Sequence, residues 1–158
     1  MTTPQLQNLC EGFCEIAHVA RPELREQHDG IVAFSVLWHN VTVDVMARPA
    51  ADPHNIFVLF DLGLPDLSRA DLSHVLLALL QSNFMALRAN QPVFSCHPET
   101  GTVVLQWALA LAHTRPSDLH QVIQEGVSLA RLWRQDYFLA APSSADAADA
   151  AFKPGTYA

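Results

Sequence analysis

The sequence is poor in positive charge. Nine Lys and Arg stand against sixteen Asp and Glu in 158 residues, a formal charge of −7, and the only lysine is Lys153, near the C-terminus. Attraction to phosphates supplies most non-specific affinity for nucleic acid, and this chain would repel them, so no nucleic-acid partner is expected. A basic or hydrophobic peptide suits the balance better. Long apolar runs are also missing. The stretch from Val75 to Leu80 is far shorter than the ~20 residues of a membrane-spanning helix, and no membrane partner is expected. The start, Met1-Thr2-Thr3-Pro4, has no basic cluster ahead of an apolar stretch, so no secretory signal is expected either.

Cysteine is scarce: Cys10, Cys14 and Cys96 are an odd number in a chain long enough to build its own core. That suits a reducing cytoplasm. Cys10, Cys14 and His18 are the one local group of soft ligands, but all three on one helix make a poor tetrahedral site. Small core residues on an apolar stripe is the better reading of the two cysteines, and no metal is expected. The eight histidines, at positions 18, 28, 39, 54, 74, 97, 113 and 120, are dispersed. There is no Gly-rich phosphate loop, no His-Glu-x-x-His and no paired Cys-x-x-Cys. Nucleophile, base and stabiliser never come together, so the chain reads as a non-enzyme with no catalytic residue and no cofactor.

What the sequence has is grease. Half its residues are hydrophobic, 16% are charged and the mean hydropathy is +0.13, which excludes disorder over most of the length. The length fits one domain on the usual scale of ~100–200 residues. Apolar positions Leu6, Leu9, Cys10, Phe13, Ile16, Ala17 and Ala20 recur at helical spacing, predicting a helix over 5–20. Val-rich stretches 31–38 and 41–46 flank His39-Asn40, a two-residue hairpin loop in which Asn tolerates positive φ. Residues 47–55 read as a loop and 56–62 as a third strand. Ser68 or Asp66 is positioned to cap a helix over 69–88. Strands 93–97 and 102–111 follow, joined by Pro98-Glu99-Thr100-Gly101, and a last helix starts at Pro116-Ser117-Asp118. The order is α-β-β-β-α-β-β-α: an α+β fold with a twisted, mainly antiparallel five-stranded sheet and three helices. Residues 1–140 form one domain in this reading, and the Ala/Asp/Ser-rich stretch 141–158 is expected to be a disordered tail.

Alternation sorts the faces. The hairpin loop sets Trp38 opposite Val41, Val36 opposite Val43 and Phe34 opposite Val45, one solidly apolar side. Ile56, Val58, Phe60 and Leu62 join it. Three helices can blanket only that side of a sheet, which leaves Leu37, Met46, Phe57 and Leu59 near solvent as candidate binding residues. The alternative is that these four are scattered singly, or covered by the 47–55 loop and the tail. The helix over 69–88 is apolar on two faces, so it must be buried on two sides. A twofold copy is the commonest second surface, and Leu77, Leu80, Phe84 and Met85 are the candidate dimer residues. A third layer within the monomer is hard to build from so short a chain.

Several strings in this order resemble the Tir-chaperone (CesT-like) family, the class I chaperones of bacterial type III secretion. They are Leu62-Gly63-Leu64-Pro65, Leu79-Leu80-Gln81-Ser82-Asn83, Pro98-Glu99-Thr100-Gly101 with its alternating strand, and Leu132-Trp133, within residues 5–138. The resemblance implies a small acidic homodimer of the bacterial cytoplasm. It would bind the N-terminal region of a secreted effector, keeping it soluble and secretion-competent. Its second helix would build the dimer interface, and the client would wrap around it as extended chain and short helices. The resemblance implies no nucleotide; an ATPase of the secretion apparatus would strip the client off. The Ala/Asp-rich tail and the long 47–55 loop depart from the family pattern. A regulatory protein of the same fold that binds a folded partner is the competing reading.

Overall fold

The computed structural model describes residues 2–27, 29–85 and 91–139. Its elements run α1 (Thr2–Ala17), β1 (Arg25–Glu26), β2 (Val32–Trp38), β3 (Val41–Arg48), β4 (Asp52–Gly63), α2 (Leu72–Met85), β5 (Val93–Cys96), β6 (Val103–Ala110) and α3 (Pro116–Asp136). The strands form one antiparallel sheet in the order β1-β2-β3-β4-β6-β5. The sheet therefore has six strands where the sequence predicts five. The addition, β1, is two exposed residues with no apolar alternation; it joins by backbone pairing of Arg25 with Ala33 and Glu26 with Val32.

Local chemistry sets the turns. His39 (φ 48°) and Asn40 (φ 63°) both take the left-handed backbone of a tight hairpin, and the register is Trp38 with Val41, Val36 with Val43 and Phe34 with Val45, as predicted. The 47–55 stretch is mostly strand rather than loop, because β3 runs on to Arg48 and β4 begins at Asp52. The Asp52 carboxylate organises this corner by accepting the Asn55 side-chain amide at 2.9 Å and the backbone N–H groups of His54 and Asn55, both at 3.2 Å. Helix α1 ends at Ala17, where His18 turns left-handed (φ 54°), three residues short of the expected end.

Helix α2 starts at Leu72, later than expected, because its cap is Asp71, not Ser68 or Asp66. The Ser73 N–H donates to Asp71 Oδ1 at 2.8 Å. Asp66 instead holds the preceding turn by accepting the Ser68 N–H at 3.0 Å. The expected continuation to residue 88 and the expected 141–158 tail lie outside the described residues.

Helices α1 and α3 cover one sheet face, over Phe34, Val43, Val45, Val58 and Phe60, all buried. Two glycines allow the close approach. A Cβ on Gly126 would lie 2.2 Å from the Phe60 ring, and one on Gly12 would lie 2.5 Å from Pro116. The end of α3 fastens the rest. Arg134 donates to the carbonyls of Leu62 (3.1 Å), Asn40 (2.8 Å) and Asp61 (2.8 Å). Tyr137 Oη accepts the Asp66 N–H at 2.9 Å, and Arg69 reaches back to the Gln135 carbonyl at 2.7 Å, so the lead-in to α2 is tied to α3.

Candidate functional site

Among the described residues, no helix lies over the opposite sheet face. Ala33, Ser35 and Leu37 of β2, Thr42, Asp44 and Met46 of β3, and Phe57, Leu59 and Asp61 of β4 alternate with the core residues, and none of them is buried. Register places Met46 beside Phe57 and Asp44 beside Leu59, with Phe57 and Leu59 two residues apart on one strand. Three of the four candidate binding residues thus form one half-buried apolar patch. Leu37 does not join them. It sits opposite Thr42 on the far side of β3 and is 70% exposed.

The β5–β6 turn bounds this patch and makes a groove of it. The His97 N–H donates to the Thr102 carbonyl at 2.8 Å, and Gly101 (φ 71°) donates to the His97 carbonyl at 2.9 Å. The resulting groove, about 480 Å³, has Met46, Leu59 and Val104 in its lining together with the carboxylates Asp44 and Asp61. Residues Ser95–Pro98, Thr100 and Thr102 complete it. Asp44 and Asp61 follow the outward alternation of their strands, but their meeting at one groove is not visible in the sequence, because it depends on a hairpin distant from both along the chain.

Helix α2 lies against β5 and buries only Val75 and Leu79. Its other side carries all four candidate dimer residues: Leu77 is 52% exposed, Leu80 65%, Phe84 65% and Met85 74%. Leu72 and Leu76 extend the same exposed surface toward the start of the helix. Within the inner stripe, Asn83 is polar for a reason the sequence conceals. Its amide donates to the Phe94 carbonyl at 3.0 Å and accepts the Phe94 N–H at 2.8 Å, closing the outer edge of β5. A polar residue at a stripe position is the signal that could have flagged it, since buried polar groups require partners.

The other candidates resolve as structural. Cys10 and Cys14 are buried on α1. Burial, followed by the neighbouring Cys14, pushes the Cys10 thiol up to about 12, and burial also raises Cys14. Neither offers a thiolate near neutrality. Among the described residues no group of three or more His, Cys, Asp or Glu is placed to hold a metal ion, and no helix is long and apolar enough to cross a membrane.

The fold is shared with solved secretion chaperones. The chain is similar to a chain of the ExsC–ExsE complex at a TM-score of 0.66 and 18% identity, covering 89% of this chain and 98% of that one. It is similar to a chain of the HopA1–SchA chaperone–effector complex at 0.62 and 11%, covering 83% and 94%. A chain of the crystal structure of the Yersinia pestis type III secretion chaperone SycH in complex with a stable fragment of YscM2 matches at 0.58 and 15%, covering 78% and 95%. No curated protein matches by sequence. The model of the Tir chaperone protein (CesT) family matches residues 19–134, well over half of the 158, and the chain belongs to the Tir chaperone (CesT) family.

Proposed function

We propose that the chain acts as a homodimeric, non-enzymatic type III secretion chaperone in the bacterial cytoplasm. It binds the N-terminal region of a secreted effector in extended form and keeps it soluble and secretion-competent until the ATPase of the secretion apparatus removes it. One observation carries the reading: α1 and α3 cover the inner face of the sheet, and the half-buried Met46–Phe57–Leu59 patch lies on the other face, away from both helices. A client segment that loses its freedom on binding costs ~2–5 kcal/mol or more of the interaction energy, and apolar contact on such a patch offsets it. The family membership and the chaperone–effector character of the HopA1–SchA structure support the same reading.

Co-expression with candidate effectors from the same genome tests it. The expected result is a stable stoichiometric complex in which a long effector segment is protected from protease. Protection of a compact folded partner instead would favour the regulatory reading, and retention of no effector would remove the chaperone reading. Replacing Phe57 and Leu59 together by Asp should abolish retention while leaving the dimer intact in light scattering.

A further inference from the structure

We infer that the groove beneath the β5–β6 turn selects a client residue pair, a bulky aliphatic side chain with Arg or Lys two positions away along an extended segment. The inference rests on the chaperone reading and names the chemistry that its open face would recognise.

The groove combines two kinds of surface in a fixed arrangement. Met46, Leu59 and Val104 supply an apolar lining, and the volume of about 480 Å³ falls within the ~300–1,000 Å³ of ligand pockets. Asp44 and Asp61 supply charge. Each is held by its own chain through one oxygen: Ser35 Oγ donates to Asp44 Oδ1 at 2.5 Å, and the Gly63 N–H donates to Asp61 Oδ1 at 2.8 Å. Among the described residues neither carboxylate is in an ion pair. Arg134, the nearest guanidinium by bonding, donates to the Asp61 carbonyl and not to its carboxylate. Among the described residues no Lys or Arg lines the groove.

The spacing gives the sequence rule. Leu59 and Asp61 are same-face neighbours on β4, and Met46 and Asp44 are the same on β3, so each apolar site has a carboxylate two residues along. Same-face residues of any extended chain are separated by the same repeat, ~6.4–6.8 Å. A client strand with a Leu or Ile over Leu59 therefore brings the residue two positions before or after it, according to strand direction, over Asp61. A basic residue there gains a charge-assisted bond, whereas Asp or Glu meets repulsion.

Fluorescence anisotropy with labelled synthetic peptides tests the rule on the intact protein. The peptides share one extended, Leu-containing sequence and differ only in Arg, Gln or Glu, placed two positions before the Leu in one set and two positions after it in the other, and the set with the better-placed charge is the one compared. The Arg peptide should bind about fivefold more tightly than the Gln peptide, with the Glu peptide weakest. Asp44→Asn/Asp61→Asn keeps both oxygen acceptors and should remove the Arg preference. The control Glu15→Gln/Glu125→Gln changes net charge equally at exposed helix positions and should keep it. Equal binding of Arg and Gln peptides to the wild type, absence of peptide binding, or equal loss of preference in the control pair would each overturn the inference. An effector retained without any Arg preference would overturn it and leave the chaperone reading standing; that reading fails separately, when no effector is retained.

Discussion

Asn83 and Phe94, eleven residues apart and on different elements, are joined as two strands would be, with one side-chain amide bonding both backbone groups of Phe94. A helix side chain thereby takes the place of a neighbouring strand at Phe94 and occupies the two backbone groups that this residue would offer to another chain. It also fixes which side of α2 faces the domain and which side stays exposed.

Asn83→Leu should leave two half-buried backbone groups without partners, at ~1–3 kcal/mol each if water cannot reach them. The expected result is a lower thermal midpoint together with faster hydrogen exchange at the Phe94 amide. Unchanged exchange there would mean the amide bond contributes nothing to the edge.

Leu80→Glu and Phe84→Glu place charge on the exposed stripe of α2. In the proposed dimer a fully buried Leu or Phe contributes ~1.5–3 kcal/mol, so the pair should shift the protein to a monomer in light scattering at micromolar concentration. Circular dichroism should stay unchanged, since neither side chain belongs to the core of the single chain. A double variant that remains dimeric would place the interface elsewhere.

Gly126→Ala should be destabilising although Ala is the better helix former. The new Cβ would meet the Phe60 ring at 2.2 Å, and overpacking of this kind costs ~1–3 kcal/mol. Chemical denaturation measures the loss. Adding Phe60→Leu should recover part of it, because the obstruction is that ring.

Cys10 predicts how stability depends on alkaline pH. Its thiol is pushed up to about 12 in the folded chain, against ~8.5 when unfolded. Between these values the unfolded state sheds a proton that the folded state keeps. Stability is therefore complete below the unfolded value and falls as pH rises through the window, by up to ~1.4 kcal/mol per unit. Urea midpoints measured from neutral to strongly alkaline pH should decline, and Cys10→Ala should flatten the slope. An identical slope in that variant would contradict the assignment.

How much of this was legible in the sequence depends on the range of the interaction that decides it. The β2–β3 register follows from two residues, His39 and Asn40, whose left-handed backbone is a local property, and alternation then sorts Val58 from Leu59 without further information. The doubly apolar character of α2 is likewise carried by its own composition. Asp71 displaced Ser68 and Asp66 as the helix cap because three acceptors compete within six residues and tertiary ties, Tyr137 to Asp66 among them, decide between them. Arg25–Glu26 carries no strand signal because its pairing uses backbone alone. Leu37 was grouped with Met46, Phe57 and Leu59 by face; distance across the face separates it. The acidic groove could not be read at all, since Asp44 and Asp61 reach it from different strands and the turn that bounds it comes from a third.

The three carbonyls gathered by Arg134 have a mechanical consequence. They come from the tip of one hairpin and the tail of β4, so a single guanidinium rivets both to the end of α3, directly behind Asp61. In the proposed chaperone, a surface braced in this way would leave most of the entropy of capture to the guest, and the carrier would emerge from unloading in the shape it had before.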